Sequence, residues 1–253
     1  MNTIGLLTLV KKETGRFINV YLQTIVAPVI TSLLFFCIFA LAFGNSGRVS
    51  ADVPYLEFLA PGLIMMTMVQ NAFANTSSSI IIAKIQGNIV DVLMPPLSSL
   101  ELLIGYIAGG VMRGLIIGAL GIVILSFFVH LPLQNIFVIM SFAVLGTMML
   151  SSLGLVAGLW AEKFDHIAAV TNFLVTPLTF LSGTFYSINQ LPDLWLFLAY
   201  FNPFFYMIDG FRAGFIGIAE TDIMIGVLTL LASNAVLLVF GFFLLWSGYK
   251  IKA

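Results

Sequence analysis

Thr67, Asn71, Asn75 and Ser78 follow one another at steps of four, four and three, and Asn172, Thr176, Thr179 and Gly183 follow at four, three and four later in the chain. On a helix each set shares one face. Both sets sit in strongly apolar surroundings, where an amide or hydroxyl is costly unless it meets water or another polar group. Their chemistry is hydrogen bonding rather than bond breaking. Two readings stay open: the stripes line a passage, or they bond helix to helix in a static bundle.

Residue types for hydrolysis are missing. A phosphate-binding loop needs glycine before its lysine, and the residues preceding the six lysines are Val10, Lys11, Ala83, Glu162, Tyr249 and Ile251. Neither H-E-x-x-H nor G-x-S-x-G occurs. His130 and His166 stand far apart, and Cys37 is the single cysteine, so no metal site, bound cofactor or intrachain disulfide is expected. The chain reads as a non-enzyme. If ATP drives it, another polypeptide holds the ATP and Mg.

A second kind of chemistry, docking, is suggested by residues 84–94. Lys84, Asn88 and Asp91 fall on one helical face, Ile85, Ile89, Val92 and Leu93 on another, and Pro95-Pro96 ends the stretch. Such a helix either binds a soluble partner or rests on lipid headgroups. Residues 1–21, with Ile4, Leu7, Lys11, Lys12, Glu13 and Arg16, read as an interfacial helix whose basic side chains favour anionic lipid.

The elements that must hold these residues are membrane helices. Only 8% of the 253 residues are charged and 60% are hydrophobic, which is too little charge to cover a water-facing surface. A formal net charge of -1 leaves no basic footprint for nucleic acid. A span needs about 20 apolar residues, and its backbone must satisfy itself as a helix. Spans are expected near 22–43, 56–82, 102–129, 134–160, 168–188 and 222–247. The first is too long for the apolar core of a signal peptide and is read as uncleaved. Residues 191–217 are rich in aromatics but broken by Pro203 and Asp209-Gly210, and they fit short re-entrant or interfacial helices.

Charge placement supports six spans. Lys11, Lys12, Arg16, Lys84, Lys163, Lys250 and Lys252 then lie on the side of the N-terminus, and Arg48 and Arg212 on the other. That bias puts both termini in the cytoplasm. Making 191–217 a seventh span would send Lys250 and Lys252 outside. Arg113 lies within the third span, read either as a partnered structural cation or as a substrate contact. Gly105, Gly109, Gly110, Gly114, Gly118 and Gly121, with Gly154 and Gly158, have the spacing that lets helices pack closely.

Leu181-Ser182-Gly183-Thr184-Phe185-Tyr186, Leu191-Pro192, Phe201-Asn202-Pro203 and Asp209-Gly210-Phe211-Arg212 occur in that order. With Phe58-Leu59-Ala60-Pro61-Gly62 and Leu93-Met94-Pro95-Pro96-Leu97-Ser98, they resemble the ABC-2 family of ABC exporter permeases over nearly the whole chain. The resemblance implies an all-α polytopic membrane protein with an amphipathic coupling helix at 84–94 and re-entrant outer helices at 191–217. It also implies a second permease copy or a related subunit in its place, two separate ATPase subunits, a place in the cytoplasmic membrane, and a substrate path flanked by the second and fifth spans. The cargo is open among drug-like, lipid-linked and polysaccharide molecules. Rival classes are an ATP-independent channel or secondary carrier and a membrane partner that transports nothing; Arg113 alone and the lack of an internal repeat weigh against the carrier.

Overall fold

The computed structural model describes residues 2–43, 48–50 and 53–250. Lys252, residues 44–47 and 51–52 of the outer loop, and the side chains of Arg48, Val92 and Leu93 lie outside that description. The chain is all-α apart from a small antiparallel pair, β1 (Arg48–Ser50) and β2 (Val53–Pro54). It begins with α1 (Thr3–Ile18), capped by the Asn2 side chain, which accepts the Gly5 N–H at 3.0 Å.

Among the described residues, six helices are long and apolar enough to cross a membrane: Leu22–Phe43, Tyr55–Ile85, Ser99–Leu125, Ile136–Trp160, Phe164–Leu181 and Ile223–Ser247. The first joins a wide-turn π segment, Leu22–Val26, to α2 (Ala27–Phe43). The next three are α3 (Tyr55–Ile85), α5 (Ser99–Leu125) and α6 (Ile136–Trp160), with the short α4 (Ile89–Leu93) between α3 and α5. The fifth is α7 (Phe164–Val170), a second π segment, Thr171–Val175, and α8 (Thr176–Leu181). Two short helices come next, α9 (Asp193–Tyr200) and α10 (Pro203–Ile216), and α11 (Ile223–Ser247) closes the chain.

Sequence patterns explain the ends. Ser98 and Glu101 form a reciprocal cap that starts α5 at Ser99, earlier than the expected 102. The fifth helix begins at Phe164 and stops at Leu181, against the expected 168–188, because the polar run Glu162–Asp165 turns in fewer residues than a loop would take. Gly183 then adopts φ +70°, a left-handed turn that suits glycine. At 8 and 14 residues, α9 and α10 extend roughly 12 and 21 Å, short of the ~30 Å hydrocarbon layer.

The core is a three-helix centre. Of the central window of α3, 72% is buried, against 11% for the fifth span and 17% for the first and sixth. Small residues bring the central backbones together. At the crossing of α3, α5 and α6, the hydroxyls of Thr76 and Ser151 lie 2.6 Å apart and Ser151 also donates to the Ile107 carbonyl at 3.1 Å. Gly110 makes room there: a Cβ on it would collide with Ser151 Oγ and stand 2.6 Å from Thr76 Oγ1.

Candidate functional site

A cavity of about 330 Å³ opens between the first span and α3, at the level of Thr67 and Asn71. Its polar lining is Gln23, Thr31, Ser32, Thr67, Gln70 and Asn71, with Phe35, Leu63 and Met66 as apolar wall. No ionised side chain lines it, and the Ser32 hydroxyl is buried without a partner among the described residues. Thr67 Oγ1 donates to the Leu63 carbonyl at 2.8 Å and Asn71 Nδ2 to the Thr67 carbonyl at 2.9 Å. These bonds aim the Asn71 oxygen away from its own helix, where Arg113 Nη2 donates to it at 2.8 Å.

Arg113 is thus a partnered cation. Its Nε donates to the Thr24 carbonyl at 3.2 Å. That carbonyl needs an outside donor because Pro28, four residues on, has no N–H to return to it. The guanidinium therefore ties the first span to α3 beside the cavity. We expect Asn71→Leu to cost roughly 1.5–3 kcal/mol, the worth of a hydrogen bond to a charged group. A fall in melting temperature of the purified protein checks this, and Asn71→Asp, which keeps the acceptor, should recover it.

The stripe on α3 divides at Asn75, which is fully buried on the α1 side. Its side-chain oxygen and main-chain carbonyl accept from Arg16 Nη2 at 2.9 and 2.6 Å, and Ser78 Oγ accepts from Arg16 Nη1 at 3.3 Å. Glu13, also fully buried, accepts from Ser79 Oγ at 2.9 Å and contacts Lys12 at 3.3 Å and Arg16 Nε at 3.4 Å. α1 is therefore more than an interfacial helix: Glu13 and Arg16, three residues apart, reach in against α3. Gly109 permits it, since a Cβ there would stand 2.6 Å from Glu13 Cβ.

The second stripe does not hold together. The π segment Thr171–Val175 adds a residue to the turn and rotates the rest of the helix about its axis, so Asn172 is exposed while Thr179 is fully buried. Thr179 Oγ1 donates to the Val175 carbonyl at 2.6 Å, and its own carbonyl accepts from Ser182 Oγ and Thr184 Oγ1. Thr176 is half-buried. Neither this cavity nor a second hollow of about 610 Å³ beside α1 and α4 is lined by the fifth span. Gln70, Gln23, Thr31 and Ser32 were not among the residues expected from sequence. Gln23, Ala27 and Thr31 recur every four residues, the signal that would have found the first-span wall.

Residues 84–94 are not one helix. Lys84 ends α3, Gly87 turns the chain at φ +74°, and Asn88 precedes the five-residue α4. Lys84 Nζ donates to the carbonyls of Leu159 and Ala161 at 2.8 and 2.5 Å, satisfying the C-terminal end of α6. Asn88 and Asp91 stay exposed beside Val90 and Met94. Lys84 thus anchors the segment, and Asn88 and Asp91 present it.

At the end of the bundle remote from α1, Arg212 is buried beneath α10. Its Nε donates to the Phe58 carbonyl at 3.1 Å, its Nη2 to the Gly183 carbonyl at 2.6 Å, and its guanidinium lies 3.6 Å from the centre of the Phe58 ring. Asp209 accepts the N–H groups of Glu220 and Thr221 at 3.0 Å each, and Asn202 Nδ2 donates to the Leu178 carbonyl at 2.7 Å. Burial pushes the Glu220 carboxyl above the ordinary glutamate range, while the Ile188 N–H donates to one of its oxygens at 3.2 Å. These side chains fasten α10 to α3 and the fifth span.

A profile of the ABC-2 type transporter family matches residues 5–216, from α1 through α10. The chain belongs to that family. It is 40% identical to the Inner membrane transport permease YadH of Escherichia coli (strain K12), over 87% of this chain and 86% of that protein. It is 28% identical to Nodulation protein J of Rhizobium leguminosarum bv. viciae, over 72% of this chain and 71% of that protein. As an ABC-2 permease it is a multi-pass membrane transport subunit. Two cations of this permease meet at the C-terminal end of α6. Lys250 Nζ pairs with Glu162 at 2.6 Å, beside the α6 terminus that Lys84 holds. The hydrogen bond from Lys250 holds the Glu162 carboxyl below the usual range, and the same bond raises Lys250.

Proposed function

We propose that this chain is the membrane half of an ATP-driven exporter of the inner membrane, with both termini cytoplasmic. Two copies form the passage, and two separate subunits bind and hydrolyse ATP with Mg on the cytoplasmic face. The observation that carries this reading is α3 itself. It is the most buried of the long helices, it bears the polar wall of the cavity at Thr67 and Asn71, and its inner end leads through Gly87 to an exposed helix carrying Asn88 and Asp91. A push on α4 reaches the cavity along one continuous helix.

The residues divide the work. Asn88, Asp91, Val90 and Met94 meet the ATPase subunit, and Lys84 keeps α3 and α6 moving together. Thr67, Asn71, Gln70 and the first-span side chains face the cargo, joined by Asn172 and Thr176 across the contact with the second copy. The first and fifth spans leave large apolar faces uncovered, including Phe173 at 85% exposure, which suits contact with lipid and that copy. A neutral lining of amides, hydroxyls and one aromatic suits amphipathic cargo. Net export requires that the inward-open and outward-open states bind cargo differently, because equal affinity shifts nothing.

The double substitution Asn88→Lys with Asp91→Lys is expected to cut cargo-stimulated ATPase activity of the reconstituted complex at least about tenfold, the loss of some 1.4 kcal/mol of coupling. Membrane insertion and melting temperature should be unchanged. Undiminished coupling, or flux through the permease alone without a second protein and nucleotide, would overturn the reading.

A further inference from the structure

Arg113 has no carboxylate partner among the described residues, whose ion pairs are Lys12–Glu13, Arg16–Glu13 and Lys250–Glu162. It stands midway along α5, buried, and the two groups it holds, the Thr24 carbonyl and the Asn71 side-chain oxygen, are neutral. A buried charge is weakly screened, so its positive field extends past Asn71 into the cavity of about 330 Å³ that Asn71 lines. The remaining lining decides what can sit in that field. Thr31 Oγ1 and Thr67 Oγ1 spend their protons on the Ala27 and Leu63 carbonyls at 2.9 and 2.8 Å, which leaves each of them only acceptor capacity. Ser32, 6% exposed, has a hydroxyl with no partner among the described residues and lines the same space. A buried hydroxyl without a hydrogen bond is costly, so Ser32 is matched to a group that enters from outside the chain. Entry is open along the first span, where the lining residues Gln23, Ala27, Thr31 and Phe35 are exposed.

We propose that Arg113 is the charge filter of this cavity, which admits amphiphiles whose head is uncharged and bears O–H or N–H donors and shuts out cationic ones of the same shape. The inference rests on the reading of the cavity as the place where cargo is held, and names the class of cargo. Donors on the head bond to Ser32, Thr31 and Thr67, and the tail lies along Phe35, Leu63 and Met66. Arg113 does not line the cavity and acts through its charge alone. A like charge held about 8 Å away, at an effective dielectric of about 20, weakens binding roughly thirtyfold. One neutral hydrogen bond is worth roughly fivefold. Charge therefore selects first, and the hydroxyls then rank the uncharged heads.

The test compares N-dodecanoylethanolamine with N-dodecylethanolammonium, which share a tail length, an N–H and an O–H, and differ in charge at pH 7. Binding to the permease in phosphatidylcholine nanodiscs, with its ATPase partner where that co-purifies, is measured above protein-free nanodiscs. The uncharged compound should bind at least about tenfold tighter. Arg113→Gln should bring the two within about threefold, whereas Arg113→Lys, which also loses the guanidinium fork but keeps the charge, should retain the tenfold gap. A purely structural tie would respond alike to both. Asn71→Asp sets a carboxylate against the guanidinium without breaking the bond, and it should narrow the gap even if Arg113→Gln fails to fold. Ser32→Ala should weaken the uncharged compound roughly fivefold and leave the order of the two unchanged. Equal binding of the pair by the unsubstituted permease, no binding of the uncharged compound, equal effects of Gln and Lys at Arg113, or no effect of Ser32→Ala would overturn the proposal. The partner's ATPase activity separates this outcome from the reading beneath it. Charge-selective binding without stimulation would uphold the filter and overturn the cavity as a cargo path, and equal stimulation by both compounds, unaltered in Arg113→Gln, would do the reverse.

Discussion

Arg212→Ala is expected to lower the melting temperature of the purified permease by roughly 6–12 °C, the shift that about 3 kcal/mol produces in a chain of this size. The substitution strands the carbonyls of Phe58 and Gly183, which lose donors at 3.1 and 2.6 Å in a buried setting. A hydrogen bond to a charged group is worth about 1.5–3 kcal/mol, and a desolvated cation over an aromatic ring about 2 more, so 3 kcal/mol is a conservative figure once partial relaxation is allowed. Arg212→Lys keeps the charge but not the fork that reaches two carbonyls at once, and it should fall between the two. Because Arg212 joins α10 to the start of α3 and to the Gly183 turn, proteolysis of the outer segments should accelerate in parallel. An unaltered melting curve in Arg212→Ala would show that the helices α9 and α10 are held by packing alone.

The second large effect is expected at Gly154. A Cβ there would stand 2.5 Å from the Phe73 carbonyl oxygen and 3.2 Å from the Phe73 carbonyl carbon and Cα. These are backbone atoms of α3, so no side chain can swing aside and the two central helices must separate. Overpacking costs typically 1–3 kcal/mol, and a backbone obstruction belongs at or above the upper end, so Gly154→Val should lose about 3 kcal/mol or fail to insert. Gly154→Ala should show a smaller loss in the same direction. Gly15 in α1 supplies the contrast, because a Cβ there meets nothing within 4 Å. Gly15→Ala should be neutral or stabilise by about 0.5–1 kcal/mol through helix propensity. Equal melting temperatures for the Gly154 and Gly15 variants would remove close packing as the role of this glycine spacing.

The parts of the fold that depend on local pattern were legible. Long apolar runs announce six helices, and Pro203 separates α9 from α10, but Asp209-Gly210, read as a second break, lies inside α10, which ends at Gly217 instead. The site was half legible. Thr67 and Asn71 lie on the cavity wall because nothing interrupts the helical period of α3 between them. Asn75 continues the same arithmetic yet turns to Arg16, a partner 59 residues away that no periodicity reveals. Asn172, Thr176 and Thr179 do not share one face, for a different reason. The period assumed for them is broken by a wide turn, and one extra residue swings the later side chains to another face. Lys84 was grouped with Asn88 and Asp91 because the left-handed turn at Gly87 is a backbone event, and the spacing of side chains does not record it. Arg113 drew notice as a costly charge, but its second partner, the Thr24 carbonyl, is explained only by the absence of an N–H at Pro28.

The two wide turns share a layout. Each is succeeded, after one residue, by a proline, Pro28 in the first span and Pro177 in the fifth, so each helix loses a rung of its hydrogen-bond ladder just beyond its wide turn. These are two of the spans least committed to the core, whereas α3 runs 31 residues with no wide turn, its interior proline, Pro61, lying near its start, and most of its surface is enclosed. Mechanically the molecule is a stiff axle with compliant flanks. Force applied at one end of the axle would travel without loss of register, and deformation would concentrate where a rung is already missing, leaving the close-packed centre unsheared.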